Sequence, residues 1–418
     1  MHIRLLPTNV LTIIFCLFCF ASITTAAAPP SSEEIPLDKA LERFYTHNYD
    51  VLINRYEIDK GQADIITARL LPNPTFTFNH EGLRTKDFPT AGENSKMQMR
   101  LDQLIELGGK RGLRTDIARE TLEAVKLSHK DNIRLLLNGF YTMFYNFKLD
   151  LLNLEQSRAE LKRFDRILDI AEKRFNAGHL SLVDYTKIKY SRVDLENNLT
   201  ILGNQARNDG EMLGFIIGSE KPLRPLITTR DTFEDYKIDE LVNTASENRY
   251  DILALRRLLK SAEYNTALTK AGRIPDVTLG AEYDTYTRQN TPGIGFGFNL
   301  NIPVFNRKQG ELSRRNAEYR QLEVQINKQK RQIGVEVRQA LNNFDASKQV
   351  FETYKNRKSD IELLLERSEK AFSLGGISTL DLLDTQKIYR EFITKYNSAL
   401  IQSNLNSELI KIVTGELK

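Results

Sequence analysis

Strict alternation of apolar and polar residues marks two pairs of short segments. Phe alternates with Thr and Asn in Thr75–Asn79, and Met and Leu alternate with polar residues in Met97–Asp102. The same alternation recurs in Val277–Asp284 and Ile294–Ile302. Because successive side chains of a strand point to opposite faces, each run predicts a strand with one apolar face. Turn-rich segments join each pair and predict two β-hairpins, namely Gly82–Ser95 and Gln289–Gly293.

Four segments have the apolar spacing of helices, and two of them follow each pair of strands: Leu113–Phe175, Leu182–Ile217, Gly310–Leu374 and Leu380–Val413. The run Leu113–Phe175 contains no Pro, and as a helix it spans roughly 90 Å at 1.5 Å per residue. Shorter helical segments, Pro36–Leu71 and Asp239–Ala271, precede the two strand pairs. Pro72 and Pro275 end these segments, because proline cannot continue a helix.

The second long helix carries a seven-residue apolar repeat. One position of the repeat holds Ile326, Ile333, Ala340, Tyr354 and Ile361. The other holds Val337, Phe344, Phe351, Leu365 and Phe372. This spacing is typical of a left-handed coiled coil. Lys330, Ser347 and Lys358 interrupt the apolar pattern.

An internal repeat organises the chain. Glu172–Asp184 and Glu369–Asp381 share a Glu-Lys pair, a Phe, a Gly, a Ser and an Asp at the same places. Each copy lies between a long and a shorter helical segment, so the chain is predicted to be two tandem helix–strand–strand–helix–helix units. The predicted bounds are 29–217 for the first repeat, 218–238 for the linker and 239–418 for the second repeat.

The first 28 residues have the pattern of a secretory signal peptide. Arg4 supplies a positive charge, Val10–Ile23 is apolar, and Ala26–Ala28 supplies small residues for cleavage. A retained anchor helix is the alternative interpretation. Both cysteines of the chain, Cys16 and Cys19, lie in this segment. The mature chain therefore has no disulfide, thiolate metal site or cysteine nucleophile.

Composition and motifs predict neither an enzyme nor a cofactor or metal site. The net charge is only +4, from 59 basic and 55 acidic residues, which does not favour nucleic-acid binding. No mature histidine is paired at metal-ligand spacing, and no Ser/His/Asp arrangement is evident. The run Gly108–Arg111 lacks the glycine spacing and the Ser or Thr of a phosphate-binding loop.

The strand pattern fits either a transmembrane barrel or a soluble sheet packed on helices. Strands of about ten residues can cross a bilayer when tilted, with lipid outside and water inside. Four strands cannot close a barrel, and an open edge is not tolerated in lipid, so copies must associate. Two copies give eight strands and a filled interior, whereas three give twelve and a lumen. A conduit therefore predicts a homotrimer, and the fold class is mainly α with a transmembrane β-barrel.

Three motifs resemble the outer-membrane efflux channel family, the TolC-like proteins. They are Phe175–Gly178 followed by Asp184, Gly375 followed by Leu380–Asp384, and the repeated strand hairpins. The segment Ile105–Arg111 is similar to the cobalt–zinc–cadmium resistance branch. The resemblance covers the mature chain. It implies a trimeric twelve-stranded barrel in the outer membrane, continued by a twelve-helix tunnel in the periplasm. It also implies passive export, with an inner-membrane RND-type transporter and a periplasmic adaptor as partners.

Three aspartates are the candidate gate residues. Asp381 and Asp384 are three residues apart, so they share one helix face and would form two carboxylate rings around a threefold axis. The resemblance identifies them with the constriction aspartates of the family, and Asp184 with the counterpart in the first repeat. Ordinary helix capping, with Ser378 and Asp381 at the N-terminus, is the other interpretation.

The helix reversals are expected at the periplasmic tip, where the resemblance places the adaptor contact. The residues concerned are Gly178, His179, Gly375 and Gly376. Phe372 and Ile377 depart from the family pattern, which has polar or aromatic-hydroxyl partners there. A polar lock is therefore not expected, and apolar contact would hold the closed state.

The leading functional hypothesis is an efflux duct for heavy-metal cations. A multidrug duct or a type I protein secretion duct has the same sequence features. A periplasmic coiled-coil adaptor or scaffold is an alternative of a different class, and it would need the strands to form a small soluble domain.

Overall fold

The computed structural model describes residues 33–82, 95–286 and 292–416. The expected signal peptide at 1–28 lies outside these residues, as do most of the loop Gly82–Ser95 and of the turn Gln289–Gly293. Among the described residues, helices dominate and the strands form two separate sheets.

Two long helical hairpins form most of the molecule. Helix α3, Lys110–Asn176, has 67 residues and is followed by α4, Leu182–Ile216. Helix α7, Gln309–Ser373, has 65 residues and is followed by α8, Thr379–Thr414. Each long helix spans about 100 Å. In the described part of the chain, no helix combines the length and the apolar character needed to cross a membrane.

The two shorter helical segments are each divided, which differs from the single helices predicted. The first consists of α1, Leu37–His47, and α2, Tyr49–Arg69. Asn48 separates them in an extended conformation. Its Oδ1 accepts from the backbone N of Val51 at 3.1 Å, and its Nδ2 donates to the carbonyl of Ile216 at 2.8 Å. The break therefore depends on a residue distant in sequence, which helical periodicity does not reveal.

The second segment consists of α5, Ile238–Asn248, and α6, Tyr250–Ala271, separated by Arg249. The Arg249 side chain is only 1% exposed. Its Nη2 lies 2.6 Å from Asp251 Oδ2, and its Nη1 lies 2.5 Å from Glu336 Oε2 on α7. A buried cation requires such partners, so the break places Arg249 where both carboxylates can reach it.

The apolar stripe predicted for α7 faces the interior of the structure. Seven of the predicted apolar positions are buried: Ile326, Ile333, Val337, Phe344, Phe351, Leu365 and Phe372. The other three, Ala340, Tyr354 and Ile361, are partly buried. The apolar stripe of α7 therefore faces the remainder of the chain from Ile326 to Phe372.

Polar residues on α8 hold the helix to α7 and to the inter-repeat segment. Ser403 Oγ donates to the carbonyl of Ser347 at 3.0 Å, and Asn406 Nδ2 donates to Ser347 Oγ at 3.0 Å. Asn404 Nδ2 donates to the carbonyl of Arg230, and Asn404 Oδ1 accepts from the Arg230 backbone N. The interruption of the repeat at Ser347 is therefore a satisfied polar layer.

A small parallel sheet joins the start of the first repeat to the segment between the repeats. Strand β1, Glu33–Pro36, pairs with β4, Leu223–Leu226. The sequence prediction did not include this sheet, and β4 lies inside the predicted linker 218–238. Ile35 and Leu223 are buried against α1 and α3. Local periodicity cannot predict a pairing between segments so far apart in sequence.

The predicted strand pairs form one antiparallel sheet of four strands in the order β2-β3-β5-β6. The strands are Thr75–Glu81, Lys96–Ile105, Val277–Tyr286 and Pro292–Leu300. One apolar row across the sheet contains Phe76, Leu101, Ala281 and Phe296. The next row points to the opposite face and contains Thr77, Arg100, Glu282 and Gly295. The outer edges of β2 and β6 have no strand partner among the described residues.

Candidate functional site

The first hairpin turn ends α3 in a left-handed glycine. Gly178 has a φ of +74°. Its N–H donates to the carbonyl of Phe175 at 2.9 Å, and the N–H of His179 donates to the carbonyl of Arg174 at 2.8 Å. This pair of hydrogen bonds is a Schellman motif, which needs a residue able to adopt positive φ. Gly178 therefore reverses the chain where the sequence predicted a turn.

The second hairpin turn repeats this geometry. Gly375 has a φ of +81°, and its N–H donates to the carbonyl of Phe372 at 3.0 Å. The N–H of Gly376 donates to the carbonyl of Ala371 at 2.8 Å. Gly376 is not among the residues with positive φ. Only Gly375 of the glycine pair therefore adopts the left-handed conformation.

Asp184 lies at the start of α4 and closes a local hydrogen-bond ring. Ser181 Oγ accepts from the Asp184 backbone N at 3.0 Å and donates to Asp184 Oδ2 at 2.7 Å. Lys187 Nζ lies 3.6 Å from Asp184 Oδ1. The carboxylate thus stabilises the N-terminus of its own helix.

Asp381 has the same place at the start of α8. Ser378 Oγ accepts from the Asp381 backbone N at 3.1 Å, and Asp381 Oδ2 accepts from the Ser378 backbone N at 3.2 Å. This is a complete capping box. Asp381 is nevertheless exposed, so capping leaves its charge facing solvent.

Asp384 lies one turn further along α8 and is also exposed. Within the described residues it has no hydrogen-bond or ion-pair partner. Because residues three apart share a helix face, the Asp381 and Asp384 carboxylates lie on the same side of α8. Asp384 is therefore a free charge, whereas the Asp381 carboxylate also serves the helix end.

An apolar cluster lies directly behind both turns and joins the two hairpins of one chain. Its buried members are Phe164, Ile167, Ala171, Ile188, Leu195, Phe372 and Leu382, and Ile377 packs against them. Arg174 covers this cluster: its guanidinium carbon lies 4.9 Å from the centre of the Phe372 ring. Arg174 Nη1 also donates to the Phe372 carbonyl at 2.6 Å. Within one chain, apolar contact and one arginine thus hold the ends of α3 and α7 together.

A second polar contact joins the hairpins further from the turns. Arg390 Nε on α8 donates to Glu160 Oε1 on α3 at 2.7 Å. The Glu160 side chain is 7% exposed, and burial raises its pKa while Arg390 opposes that rise. Neither residue was singled out in the sequence. The sequence does contain a signal for the Arg174 contact. The two repeats differ at this position, because the second has Ala371 where the first has Arg174.

The hairpin ends also expose large apolar side chains. Leu374 is 79% exposed, and the other members are Leu182, Val183 and Leu380. Exposed apolar residues grouped at one end of a protein mark interaction surfaces. This surface lies beside the residues predicted as the tip.

The two faces of the four-stranded sheet differ in chemistry. On the polar face Arg100 Nε lies 2.8 Å from Asp102 Oδ2, and Arg100 Nη1 lies 3.4 Å from Glu282 Oε2. Lys96 Nζ lies 3.4 Å from Asp284 Oδ2. The opposite face carries exposed apolar residues, among them Phe76, Phe78, Leu101, Ile294, Phe296 and Phe298. In residues 33–82, 95–286 and 292–416, no three His, Cys, Asp or Glu side chains are grouped to hold a metal ion.

Two strand hairpins in one sheet and two long helical hairpins, repeated in tandem, define the class of protein. The chain belongs to the Outer membrane efflux protein family, which matches residues 41–218 and 241–391. The predicted family is thereby confirmed.

Relatives and solved structures agree with this assignment. The chain is 25% identical to the cobalt-zinc-cadmium resistance protein CzcC of Cupriavidus metallidurans, over 91% of this chain and 90% of that protein. It is 24% identical to the outer membrane protein TolC of Vibrio cholerae, over 57% of this chain and 58% of TolC. Crystal structures of CusC share the fold with a TM-score of 0.76 at 14% identity, covering 90% of this chain and 91% of that chain. The outer-membrane channel OprN has a TM-score of 0.74 at 13% identity, covering 91% and 90%.

Proposed function

We propose that three copies of this chain form an outer-membrane channel that serves as the passive exit duct of a tripartite efflux pump. The observation that carries the proposal is the four-stranded sheet, with an exposed apolar face, a charged face and two free edges. In lipid such edges must be paired by neighbouring copies. Three copies would supply twelve strands, which is enough to enclose a lumen.

The polar face of the sheet suits the interior of that barrel. Charged residues of opposite sign form ion pairs on this face, as Arg100 does with Asp102 and Glu282. The apolar face would contact lipid, which is the alternation expected of outer-membrane barrels. The long helical hairpins would then continue the duct into the periplasm for about 100 Å.

The partners are a periplasmic adaptor and an inner-membrane RND-type transporter, which supplies the energy. The exposed apolar residues Leu182, Val183, Leu374 and Leu380 at the hairpin ends support the tip as the adaptor contact. Gly178, His179, Gly375 and Gly376 form the turns that present this surface. We assign the chain no catalytic step and no cofactor, in agreement with a family of efflux proteins.

Heavy-metal cations are the proposed cargo. The similarity to a cobalt-zinc-cadmium resistance protein over nine-tenths of both chains supports this choice. Asp381 and Asp384 would form rings of exposed carboxylates at the narrow end of the tunnel, with Asp184 as their first-repeat counterpart. Such rings favour cations over anions.

Planar-bilayer recording tests the gate. Asp384→Asn removes a charge that has no partner, and Asp381→Asn removes a charge while keeping an amide that can cap the helix. We expect the double variant to have a weaker cation preference, measured as the reversal potential in a KCl gradient, and weaker block by divalent cations. Asp194→Asn is the control, because Asp194 is an exposed carboxylate of α4 without an ion-pair partner among the described residues. Unchanged selectivity and block in the double variant would remove the gate assignment.

Cell tolerance tests the cargo separately. Deleting the gene should lower the tolerated concentrations of cobalt, zinc and cadmium salts, with no effect on dyes or antibiotics. Complementation with the unaltered chain should restore metal tolerance. Loss of dye tolerance alone would support a multidrug duct instead.

A further inference from the structure

The segment that joins β6 to α7 combines exposed apolar residues with arginines. It runs from Asn301 to Lys308, directly after β6. Ile302 and Val304 are exposed, and Phe305 is 92% exposed. An aromatic ring so fully exposed next to an apolar sheet face is unusual for a surface in contact with water alone.

Two arginines beside Phe305 are held in place by backbone carbonyls. Arg273 Nε donates to the carbonyl of Arg307 at 3.0 Å, and Arg307 Nε donates to the carbonyl of Val304 at 3.1 Å. In the described residues, the Nη groups of both arginines have no hydrogen-bond partner and neither side chain has an acidic partner. Each guanidinium is therefore oriented through one nitrogen and keeps its outer donors free.

Two lysines of this region have partners. Lys110 Nζ donates to Asp276 Oδ1 at 2.8 Å and to the carbonyl of Ile274 at 2.6 Å. Lys308 Nζ lies 3.0 Å from Glu311 Oε2. Arg273 and Arg307 thus add two positive charges that have no acidic partner within the described residues. The two arginines line an open groove of ≈ 570 Å³ with Pro303, Val304, Phe305 and Gln309.

The backbone of the junction differs between the two repeats. The residue preceding α3 is Gly109, with a φ of +70°, whereas the residue preceding α7 is Lys308, with a φ of +61°. In the described residues, Lys308 is the only non-glycine residue with positive φ. That conformation is disfavoured for a residue with a Cβ, because the Cβ comes close to the following carbonyl oxygen. The second junction therefore keeps side chains where the first uses glycine.

We propose that Arg273 and Arg307 bind the phosphate group of an anionic phospholipid at the periplasmic surface of the outer membrane, with Phe305 inserted among the lipids. This inference rests on the proposed function, which places the sheet in that membrane. Guanidinium groups match phosphate oxygens with parallel hydrogen bonds, and two unpaired charges favour an anionic head group over a zwitterionic one. Girdles of aromatic residues at both membrane interfaces are typical of outer-membrane barrels. A trimer would have three such sites around its periplasmic rim.

The absence of tryptophan from the chain allows a direct test. Phe305→Trp introduces one fluorophore at the site. The purified variant is reconstituted in phosphatidylcholine vesicles that contain a minor fraction of brominated phosphatidylglycerol, and in vesicles with the brominated and plain lipids exchanged. Quenching of the introduced indole by each lipid gives the relative binding constant of the two head groups.

We expect phosphatidylglycerol to bind about 25-fold more tightly than phosphatidylcholine, since each basic residue contributes about fivefold at a membrane surface. Adding Arg273→Gln and Arg307→Gln should bring the ratio near one. Lys328→Gln with Arg331→Gln is the matched control, because both are exposed on α7, about 30 Å along the helix from the junction. That control should keep the preference.

Three outcomes would overturn the site. They are an equal affinity for the two lipids, a preference that survives loss of both arginines, and a preference abolished by millimolar inorganic phosphate, which would indicate a site for the free ion. Conductance of the same vesicles separates this inference from the proposed function. Channels that conduct without a lipid preference would contradict the phosphate site alone, whereas a fluorophore that no lipid quenches, with no conductance, would contradict both.

Discussion

At the scale of single residues, the same aspartate can serve its own helix and the proposed channel. Asp381 completes a capping box with Ser378, and Asp184 forms the equivalent ring with Ser181. Asp384 has no such local task. The two interpretations offered by the sequence are therefore compatible at Asp381, and Asp384 is the residue at which a charge effect can be measured without loss of a helix cap.

A pair of carboxyl groups between α3 and α4 predicts a pH effect on stability. Burial, followed by a hydrogen bond and repulsion from Asp209, raises the pKa of Asp150 from 3.8 to about 6. Gln205 Nε2 donates to Asp209 Oδ1 at 3.0 Å, which holds the second carboxyl group in place. The two carboxyl groups can share a hydrogen bond only while one of them is protonated.

The sign of the effect follows from the direction of the pKa shift. Between about pH 4 and pH 6 the folded chain binds more protons at Asp150 than the unfolded chain does, so this stabilisation is lost as the pH rises through about 6. In Asp150→Asn the amide can donate to Asp209 without adding a second charge. We expect the variant to melt at a higher temperature than the parent at about pH 7.5 and at a similar temperature at about pH 4. Thermal melting followed by circular dichroism measures this, and a difference that does not vary with pH would contradict it.

At the scale of elements, the two helical hairpins of one chain are joined at two levels. The ends of α3 and α7 meet through Arg174 and the Phe372 carbonyl, and α3 meets α8 through Glu160 and Arg390. The α7–α8 hairpin carries Asp381 and Asp384. These contacts thus hold the proposed gate residues against the hairpin of the first repeat.

We expect Arg174→Gln and Arg390→Gln to favour the open channel. Loss of a charged hydrogen bond of about 1.4 kcal/mol would raise the ratio of open to closed states about tenfold at each contact. Single-channel conductance in planar bilayers measures the effect. Arg192→Gln is the control, because Arg192 Nε lies 2.7 Å from Asp165 and so joins α3 to α4 within one hairpin. Equal conductance changes in all three variants would show that the contacts between hairpins have no special role.

At the scale of the whole molecule, the four-stranded sheet is open at both edges. Strands β2 and β6 are three strand intervals apart, about 14 Å, and each has a free edge among the described residues. The apolar face of the sheet also needs an apolar environment, since it exposes large side chains such as Phe296, which is 85% exposed. The single chain cannot satisfy both demands, which is the physical basis of the proposed trimer.

Cysteine cross-linking tests the number of copies, since the only native cysteines, Cys16 and Cys19, lie in the expected signal peptide. A cysteine at Ile294 in β6 is combined in turn with one at Phe76, Phe78 or His80 in β2. A disulfide needs Cα atoms within about 7 Å, so these pairs cannot form within one open sheet. We expect oxidation to give denaturing-gel bands of two and three linked chains.

The matched control places cysteines at Met99 and Tyr283, which are register partners on the adjacent strands β3 and β5. This pair should link within one chain and leave the gel mobility that of a monomer. A ladder that stops at two chains would favour an eight-stranded assembly. The absence of any link between chains at every β2 position would contradict barrel closure by copies.

The sequence by itself determined the elements that have a strong local period. Alternation predicted the four strands of the main sheet and which residues share a face, and the seven-residue repeat predicted the buried stripe of α7. The internal repeat predicted the position of both turns at Gly178 and Gly375. These features depend on residues that are close together in sequence, and periodicity records relations of that kind.

Only the tertiary structure decided the features that depend on distant partners. The breaks at Asn48 and Arg249, the pairing of β1 with β4, and the contacts of Arg174 and Glu160 each join residues from different elements. The free arginines beside Phe305 became apparent only when the acidic partners of the neighbouring lysines were known. A buried or paired charge is defined by what surrounds it in space, and that environment has no fixed spacing along the chain.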